Sequence, residues 1–520
     1  MVEGEQAVEA ALQGDNGAGR EDHQVARENS EGDRAEPVKG IEDLGGIIRL
    51  TSKKLFPWFN EKLGETDDPR RDHPSKIYPL AYLIWMVMLM FVTQSGSRRQ
   101  YDFDKDTEAF LLNLLILSGA AGAGITTMAK AETADDLLKK IEPAVFHSLR
   151  RMMVYALIRC KRLNSCKYGN CWRLVADGTG LYTYKKRHCP NCLTKKNSKT
   201  GEITYYHNVL EFKLVSPDGF AISLDSEFII NKESEAGPDG DDGAAEGVGA
   251  DRDDEVFKDK AEKLKQDCEL KAFYRAAKRI KTEWPQMRFL LLGDAIFANA
   301  EVMALCRKYN WHYCLSLKDN LPKFKAEAEA SLAKAKLTLH VPESRVTQKL
   351  HCVEDLSHRG ILNHALSCEE TVTDKNGATE TTRFLWVTDL RPTHEGLARL
   401  ANKAGRQRWK IENQGFNTQK NNGYNIEHGY GVKGHAWENY YLIAQIVHII
   451  AQMATRTDAI HKLPSRRIAK RPGSPRPLLE LFGSMKNFVK RLAEAFRYCP
   501  PTWKDIAELG DFQLRHLYST

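Results

Sequence analysis

The sequence predicts a mixed α/β (α+β) chain: an all-helical region, then a sheet-based core, with a second β region inserted late in that core. Three observations carry the prediction. Every periodic segment across residues 41–162 repeats at helical spacing. The period then changes to that of strands at "CWRLVADGTG", residues 171–180. After an interval in which helix and strand alternate, a strand pattern returns over residues 335–389. At 520 residues the chain also exceeds what one compact core organises, which stops growing near about 250–300 residues.

Residues 1–36 are rich in Glu, Gly, Ala and Asn with almost no large apolar side chain, so they are expected to form a disordered tail. Residues 41–162 follow as a helical domain built from "AYLIWMVMLMFV", "EAFLLNLLILSGAAG" and "TADDLLKKIEPAVFHSLRRMMVYALIRCKR". Thr133, followed by Asp135 and Asp136, marks a helix start with acidic residues in its first turn. Basic flanks such as "SGSRRQ" suit docking on DNA, and a helical cap packed on the next domain suits the same pattern. The most membrane-like run, residues 78–93, has 16 residues, fewer than the roughly 20 a spanning helix needs, and is expected to be a buried core helix.

Residues 163–334 form the first part of the core. "CWRLVADGTG" is expected to be a buried strand running out at Asp177, and "TYYHNVLEFKLVSPDGFAISLDSEFII" two strands joined at Ser216-Pro217-Asp218-Gly219. The acidic, Gly-rich segment 233–255 follows them as a disordered insert. A helical segment leads to "PQMRFLLLGDAIFAN", whose apolar strand stops at Gly293-Asp294, and "NAEVMALCRKYNWHYCLSL" adds a helix and a strand. Residues 335–389 are the β insertion, with a polar turn at Asp374-Lys375-Asn376-Gly377. Residues 390–455 complete the core with a helix starting near Glu395 and the long apolar helix "AWENYYLIAQIVHIIAQM". Residues 456–520 are a basic, proline-rich linker and a helical tail.

The formal charge of +7 is unevenly placed. Segment 233–255 holds ten acidic residues against the single basic Arg252, leaving about +16 on the remainder, and a body of that sign favours a polyanion such as nucleic acid. Eleven cysteines is an odd number, and no apolar leader follows the first residues, so a reducing cytosol without structural disulfides is expected. Among the cysteines, Cys189 and Cys192 in "RHCPNCLTKK" have the spacing of a zinc half-site. Cys166 with Cys171, or His207, with His188 nearby, could complete it, and free cysteines are the equal alternative.

Three carboxylates stand out. Asp177 and Asp294 each sit where an apolar strand gives way to glycine, a position held by a rigid element and open to a hard cation, although each is also an ordinary turn residue. In "GRQRWKIENQGFNTQK" Gly405, Arg408, Glu412 and Gln419 fall near one line on a 3.6-residue helix, and Leu397, Leu400, Ala401, Ala404 and Ile411 supply an apolar stripe that would dock that helix on the sheet. Seen alone, Arg408 and Glu412 make a local helix ion pair. Together, two strand-end aspartates and a helix glutamate meet the needs of phosphodiester chemistry assisted by two metal ions.

This order resembles the DDE transposases of bacterial insertion sequences, in the ribonuclease-H-like superfamily: strand with Asp177, two antiparallel strands, strand with Asp294, β insertion, helix with Glu412. The local stretches "DGTG", "LLLGDAIFA" and "IENQGFNTQKNNGY" are similar to that family's. The group with a β insertion carries Y-x2-R-x3-E-x6-K. Arg408 and Glu412 match it, the tyrosine position holds Gly405, and the lysine position holds Gln419, with Lys420 one residue late. The resemblance implies a ribonuclease-H-like catalytic core in which Asp177, Asp294 and Glu412 hold two Mg²⁺ (or Mn²⁺), with Arg408 and Lys420 toward DNA. It further implies cut-and-paste DNA transposition and recombination: strand cleavage at the transposable element's ends, transfer of the freed 3′-hydroxyl into target DNA, and a homodimer on DNA in the bacterial cytoplasm, with no membrane. Two rivals share these residues, a ribonuclease-H-like nuclease that cuts without joining and a catalytically inactive, transposase-derived DNA-binding protein.

Overall fold

The computed structural model describes residues 42–70, 76–189, 191–230, 267–335, 337–342, 345–374, 376–456 and 482–501. The expectations for residues 1–36, for the acidic segment 233–255 and for the basic linker 462–477 lie outside these.

The helical region comprises α1 (Glu42–Leu55), α2 (Phe59–Gly64), α3 (Leu80–Val92), α4 (Arg98–Asp104), α5 (Glu108–Ser118), α6 (Ala131–Leu138) and α7 (Pro143–Arg159). Helix α3 is apolar on every side, and all its residues but Ala81 are buried, as expected of a helix that neighbours surround. No helix among the described residues is long and apolar enough to cross a membrane. Helix α6 begins at Ala131, earlier than Thr133 marked it, and the expected single helix after it breaks before Pro143. Proline in the first turn forfeits an N–H that would lack an intrahelical partner anyway, so it starts α7 rather than continuing α6.

Strand β1 (Lys167–Tyr168) leads into β2 (Cys171–Tyr184), β3 (Leu193–Lys196), β4 (Ile203–Val215) and β5 (Ala221–Ile229). Helix α8 (Glu269–Glu283) returns the chain to β6 (Phe289–Gly293), and α9 (Ala300–Tyr309) connects it to β7 (His312–Ser316). The five principal strands lie in the order β5-β4-β2-β6-β7, antiparallel on one side of β2 and parallel on the other. This is a mixed sheet following a helical region, the α/β class expected from the sequence.

After α10 (Pro322–Leu332), the insertion forms β8 (Leu337–Pro342), β9 (Val346–His358), β10 (Ile361–Thr373) and β11 (Thr379–Thr388), an antiparallel meander. Strand β11 pairs with β7 through Trp386 to Ser316 and Thr388 to Cys314, so the insertion extends the core sheet to eleven strands.

Helix α8 is pinned on β5 by ion pairs: Arg279 reaches Asp225 and Glu227, both at 2.7 Å, and Arg275 reaches Glu227 at 2.6 Å and Asp267 at 2.7 Å. On the sheet's other face, α11 (Leu397–Lys403) and the segment after it bury Leu397, Leu400, Ala401, Ala404, Ile411 and Phe416 against Val175, Leu290, Leu292 and Trp386. The stripe read from the sequence is therefore the docking face. Helix α13 (Ala436–Ala454) packs against β5, α7, α3 and α1, and α14 (Met485–Tyr498) against α1 and α5. One continuous apolar core thus runs from Leu44 in α1 to Phe496 in α14. The side chain of Asn113 donates to the carbonyls of Phe496 and Cys499, and Arg497 pairs with Asp104 at 2.6 Å.

Candidate active site and metal centre

Strand β2 does not run out at Asp177. It continues to Tyr184, because β4 goes on pairing it, with Asp177 opposite Glu211, after β6 has stopped at Gly293. The parallel register ends with Val175 beside Leu292, two residues before Asp177 on one strand and two before Asp294 on the other. Asp294 leaves the sheet there and caps the short 3-10 turn Ala295–Phe297, its Oδ1 accepting the Ile296 N–H at 3.0 Å. Beyond Gly180 the β2–β4 register shifts, a bulge of the kind that bends strands beside functional sites.

Burial pushes the Asp177 carboxyl up to about 7; Arg408 works against this, while Asp294, Glu269 and Glu412 each add to it. Two strands, a helix terminus and a distant turn thus bring acidic groups within electrostatic reach of one half-buried carboxyl. Glu269 was not singled out in the sequence. It opens α8 and stands over Gly178, where a Cβ would lie 2.2 Å from its Oε1, so the glycine of "DGTG" makes room for a fourth carboxylate. Burial and then Asp294 raise the Glu269 carboxyl as well. Its only sequence signal is an acidic residue in the first turn of a helix, which is common.

The helix expected to carry Glu412 is broken. Helix α11 ends at Lys403, a 3-10 turn follows over Gly405–Arg408, and Ile411–Phe416 is wound as a π-helix in which the Asn417 N–H donates to the Glu412 carbonyl; α12 (Asn417–Asn421) completes the segment. Single π turns recur at functional sites, and this one ends the expected alignment of Gly405, Arg408, Glu412 and Gln419. Arg408 keeps its place at the cluster, with Nη1 3.5 Å from Asp177 Oδ2 and its guanidinium 4.0 Å from the centre of the Trp409 ring. Gln419 turns into the core and donates to Gln445 at 2.8 Å. Lys420 Nζ lies 3.0 Å from Glu427 Oε1, held by that carboxylate rather than directed at the cluster.

Gly405, at the position where the resemblance expects a tyrosine, has no room for a side chain. A Cβ there would sit 2.6 Å from Trp386 Cε2, so the indole fills the space a tyrosine would need. Gly405→Ala is expected to lower stability by about 1–3 kcal/mol, the usual cost of overpacking, and Gly405→Tyr by more. Chemical denaturation measures this; an unchanged midpoint would show that Trp386 moves aside freely.

Elsewhere, His188, Cys189, Cys192 and His207 form a candidate zinc-type metal centre, their ligand atoms all within 4.8 Å of one another. Cys189 and Cys192 sulfurs are 3.5 Å apart, His207 Nε2 lies 3.2 Å from Cys189 and 3.7 Å from Cys192, and His188 Nδ1 lies 3.4 Å from Cys192. The two histidines complete the half-site. Cys166 and Cys171 do not, being buried in separate apolar clusters. Burial pushes the Cys189 thiol up to about 12 and holds the His207 imidazole down at about 4.

This is the only such group among the described residues; Asp177, Asp294 and Glu412 do not form one, and what joins them is their combined effect on the Asp177 carboxyl. The all-oxygen donor set suits Mg²⁺ or Mn²⁺, and the raised Asp177 carboxyl is the group a cation would most relieve. No family model matches the chain, and no curated protein does.

Proposed function

We propose that the protein is a DDE transposase, which cleaves DNA strands at the ends of an insertion sequence and joins them to target DNA. The observation that carries the reading is the convergence at Asp177 of the charges of Asp294, just past the end of the neighbouring strand β6, and of Glu412, from beyond the β insertion.

In this reading Asp177, Asp294 and Glu412 hold two Mg²⁺ or Mn²⁺ ions. Bound there, the ions would activate the attacking hydroxyl and offset charge on the attacking and leaving oxygens. The chain's own residues prepare that chemistry. Asp177 would be held ionised by a bound cation, releasing its proton to solvent. Arg408, freed from that carboxylate, turns to a phosphate oxygen, where a planar guanidinium binds well. The β2 and β6 backbones fix the two aspartates, so that only Glu412 depends on how the insertion and the π turn are set. The basic remainder of the chain draws in the DNA and two protomers hold the paired ends, as the resemblance implies.

The test uses duplexes made from the DNA that flanks the coding sequence, some already nicked to expose a 3′-hydroxyl. Expected are Mg²⁺-dependent cleavage and, from the nicked ends, a covalently joined strand-transfer product. Cleavage without any joined product would reassign the protein as a nuclease, and tight binding without cleavage as a DNA-binding relic.

A further inference from the structure

We propose that His188, Cys189, Cys192 and His207 bind one Zn²⁺ as a closed structural site that clamps the β2–β3–β4 edge onto helix α13. The proposal stands on the cluster's geometry and is independent of the transposase reading.

Three ligands come from the loop between β2 and β3, and the fourth from β4. The antiparallel register pairs Leu193 with Tyr206, the chain neighbours of Cys192 and His207, whose Sγ and Nε2 lie 3.7 Å apart. A tetrahedral ion with Zn–S of about 2.3 Å and Zn–N of about 2.0–2.1 Å requires edges of roughly 3.8 Å between sulfurs and roughly 3.6 Å between sulfur and nitrogen. The sulfur pair at 3.5 Å and the sulfur–nitrogen distances of 3.2, 3.4 and 3.7 Å approach those edges. The same 3.5 Å is far from a disulfide, whose sulfurs stand about 2.0 Å apart.

His207 is fully buried, and among the described residues its only hydrogen-bond partners are the two cysteine sulfurs. A buried imidazole whose only hydrogen-bond partners are two thiols, and whose Nδ1 has none, is poorly satisfied as a hydrogen-bonding group and well placed as a ligand. On binding, the two thiols release their protons to solvent, and the resulting thiolates balance the dication. With four protein ligands the site is closed, as structural zinc sites are.

What the ion would hold is visible in the packing. The His207 ring lies 4.3 Å from Trp437 of α13, and His188 lies 4.3 Å from Tyr184 at the end of β2. Exposed basic residues flank the ligands on both sides, Lys185, Lys186 and Arg187 before them and Lys195 and Lys196 after them. Small β extensions lack the core to fix themselves, so the ion would set the position of this basic edge.

The full-length chain, expressed with zinc in the medium and purified without chelator, tests the proposal by elemental analysis. One zinc per chain is expected, with at least an about tenfold loss in Cys192→Ser and in the half-buried Cys189→Ser, and no loss in Cys160→Ser, an exposed cysteine outside the cluster. Because a buried variant may misfold on its own account, Co²⁺ is also titrated into the chelator-treated wild-type chain, where a thiolate-to-cobalt band and tetrahedral d–d absorption should appear at one equivalent. Zinc-free protein that gives no such band overturns the proposal, and so does zinc content unchanged in both cysteine variants.

Discussion

Asp177→Asn and Glu412→Gln are each expected to reduce Mg²⁺-dependent strand cleavage by on the order of 10³-fold or more, while DNA binding stays within a few-fold. Each substitution preserves shape and removes one negative ligand, so the effect falls on cation binding and charge balance rather than on packing. The two should not behave identically. Asp177 is fixed by its pairing on β4, opposite Glu211, within a long strand that cannot shift to let another group take its place. Glu412 rides on a π-helical turn that can readjust. Mn²⁺, which is less strict about its ligands, should therefore restore more activity to Glu412→Gln than to Asp177→Asn. Either variant retaining more than about a tenth of wild-type cleavage would remove that carboxylate from the chemistry, since about 1.4 kcal/mol is too little for a metal ligand.

The second large effect concerns stability. With its carboxyl raised to about 7 by burial, and then by Asp294, Glu269 and Glu412 against Arg408, Asp177 is protonated in the folded protein at pH values where the unfolded chain has already released the proton. A folded-state value above the unfolded one means that folding binds a proton between about pH 4 and pH 7. Stability should therefore fall as pH rises through that window, with the penalty complete above it. A shift of this size corresponds to on the order of 2–4 kcal/mol after allowance for the partial exposure of the side chain. In metal-free buffer, Asp177→Asn should thus be more stable than wild type at pH 8, with the advantage shrinking as pH falls and nearly gone below about pH 4. Millimolar Mg²⁺ should offset the wild-type penalty at pH 8 and do little for the variant. Denaturation midpoints across pH decide the matter, and parallel profiles for the two proteins would show that Asp177 is ionised at its ordinary value.

Much of this was legible in the sequence because it is local. The strand leading to Asp294, the turn between β4 and β5, the four strands of the insertion and the stripe from Leu397 to Ile411 follow from period and turn chemistry alone. The end of β2 was not legible. Whether a strand continues past Asp177 depends on β4, a partner set by the fold rather than by neighbouring residues. The broken helix was hidden for a similar reason. Nothing local to "GRQRWKIENQ" reveals that Trp386, in the insertion, occupies the space beside Gly405. Glu269 and the pairing of His188 and His207 with the two cysteines required strand register as well. Residue types pointed to the chemistry in each case, and only the tertiary partners fixed which of them meet.

The position of α14 bears on how the molecule is made. Its apolar face closes the core of the amino-terminal helices, against α1 and α5, yet the ribosome produces it after every strand of the sheet. Those first helices consequently remain without their last wall throughout synthesis, and the long loop closure that supplies it comes late. A nascent or truncated chain would carry the three acidic residues on a body whose leading region is still unfinished, which ties maturation of one end of the polypeptide to arrival of the other.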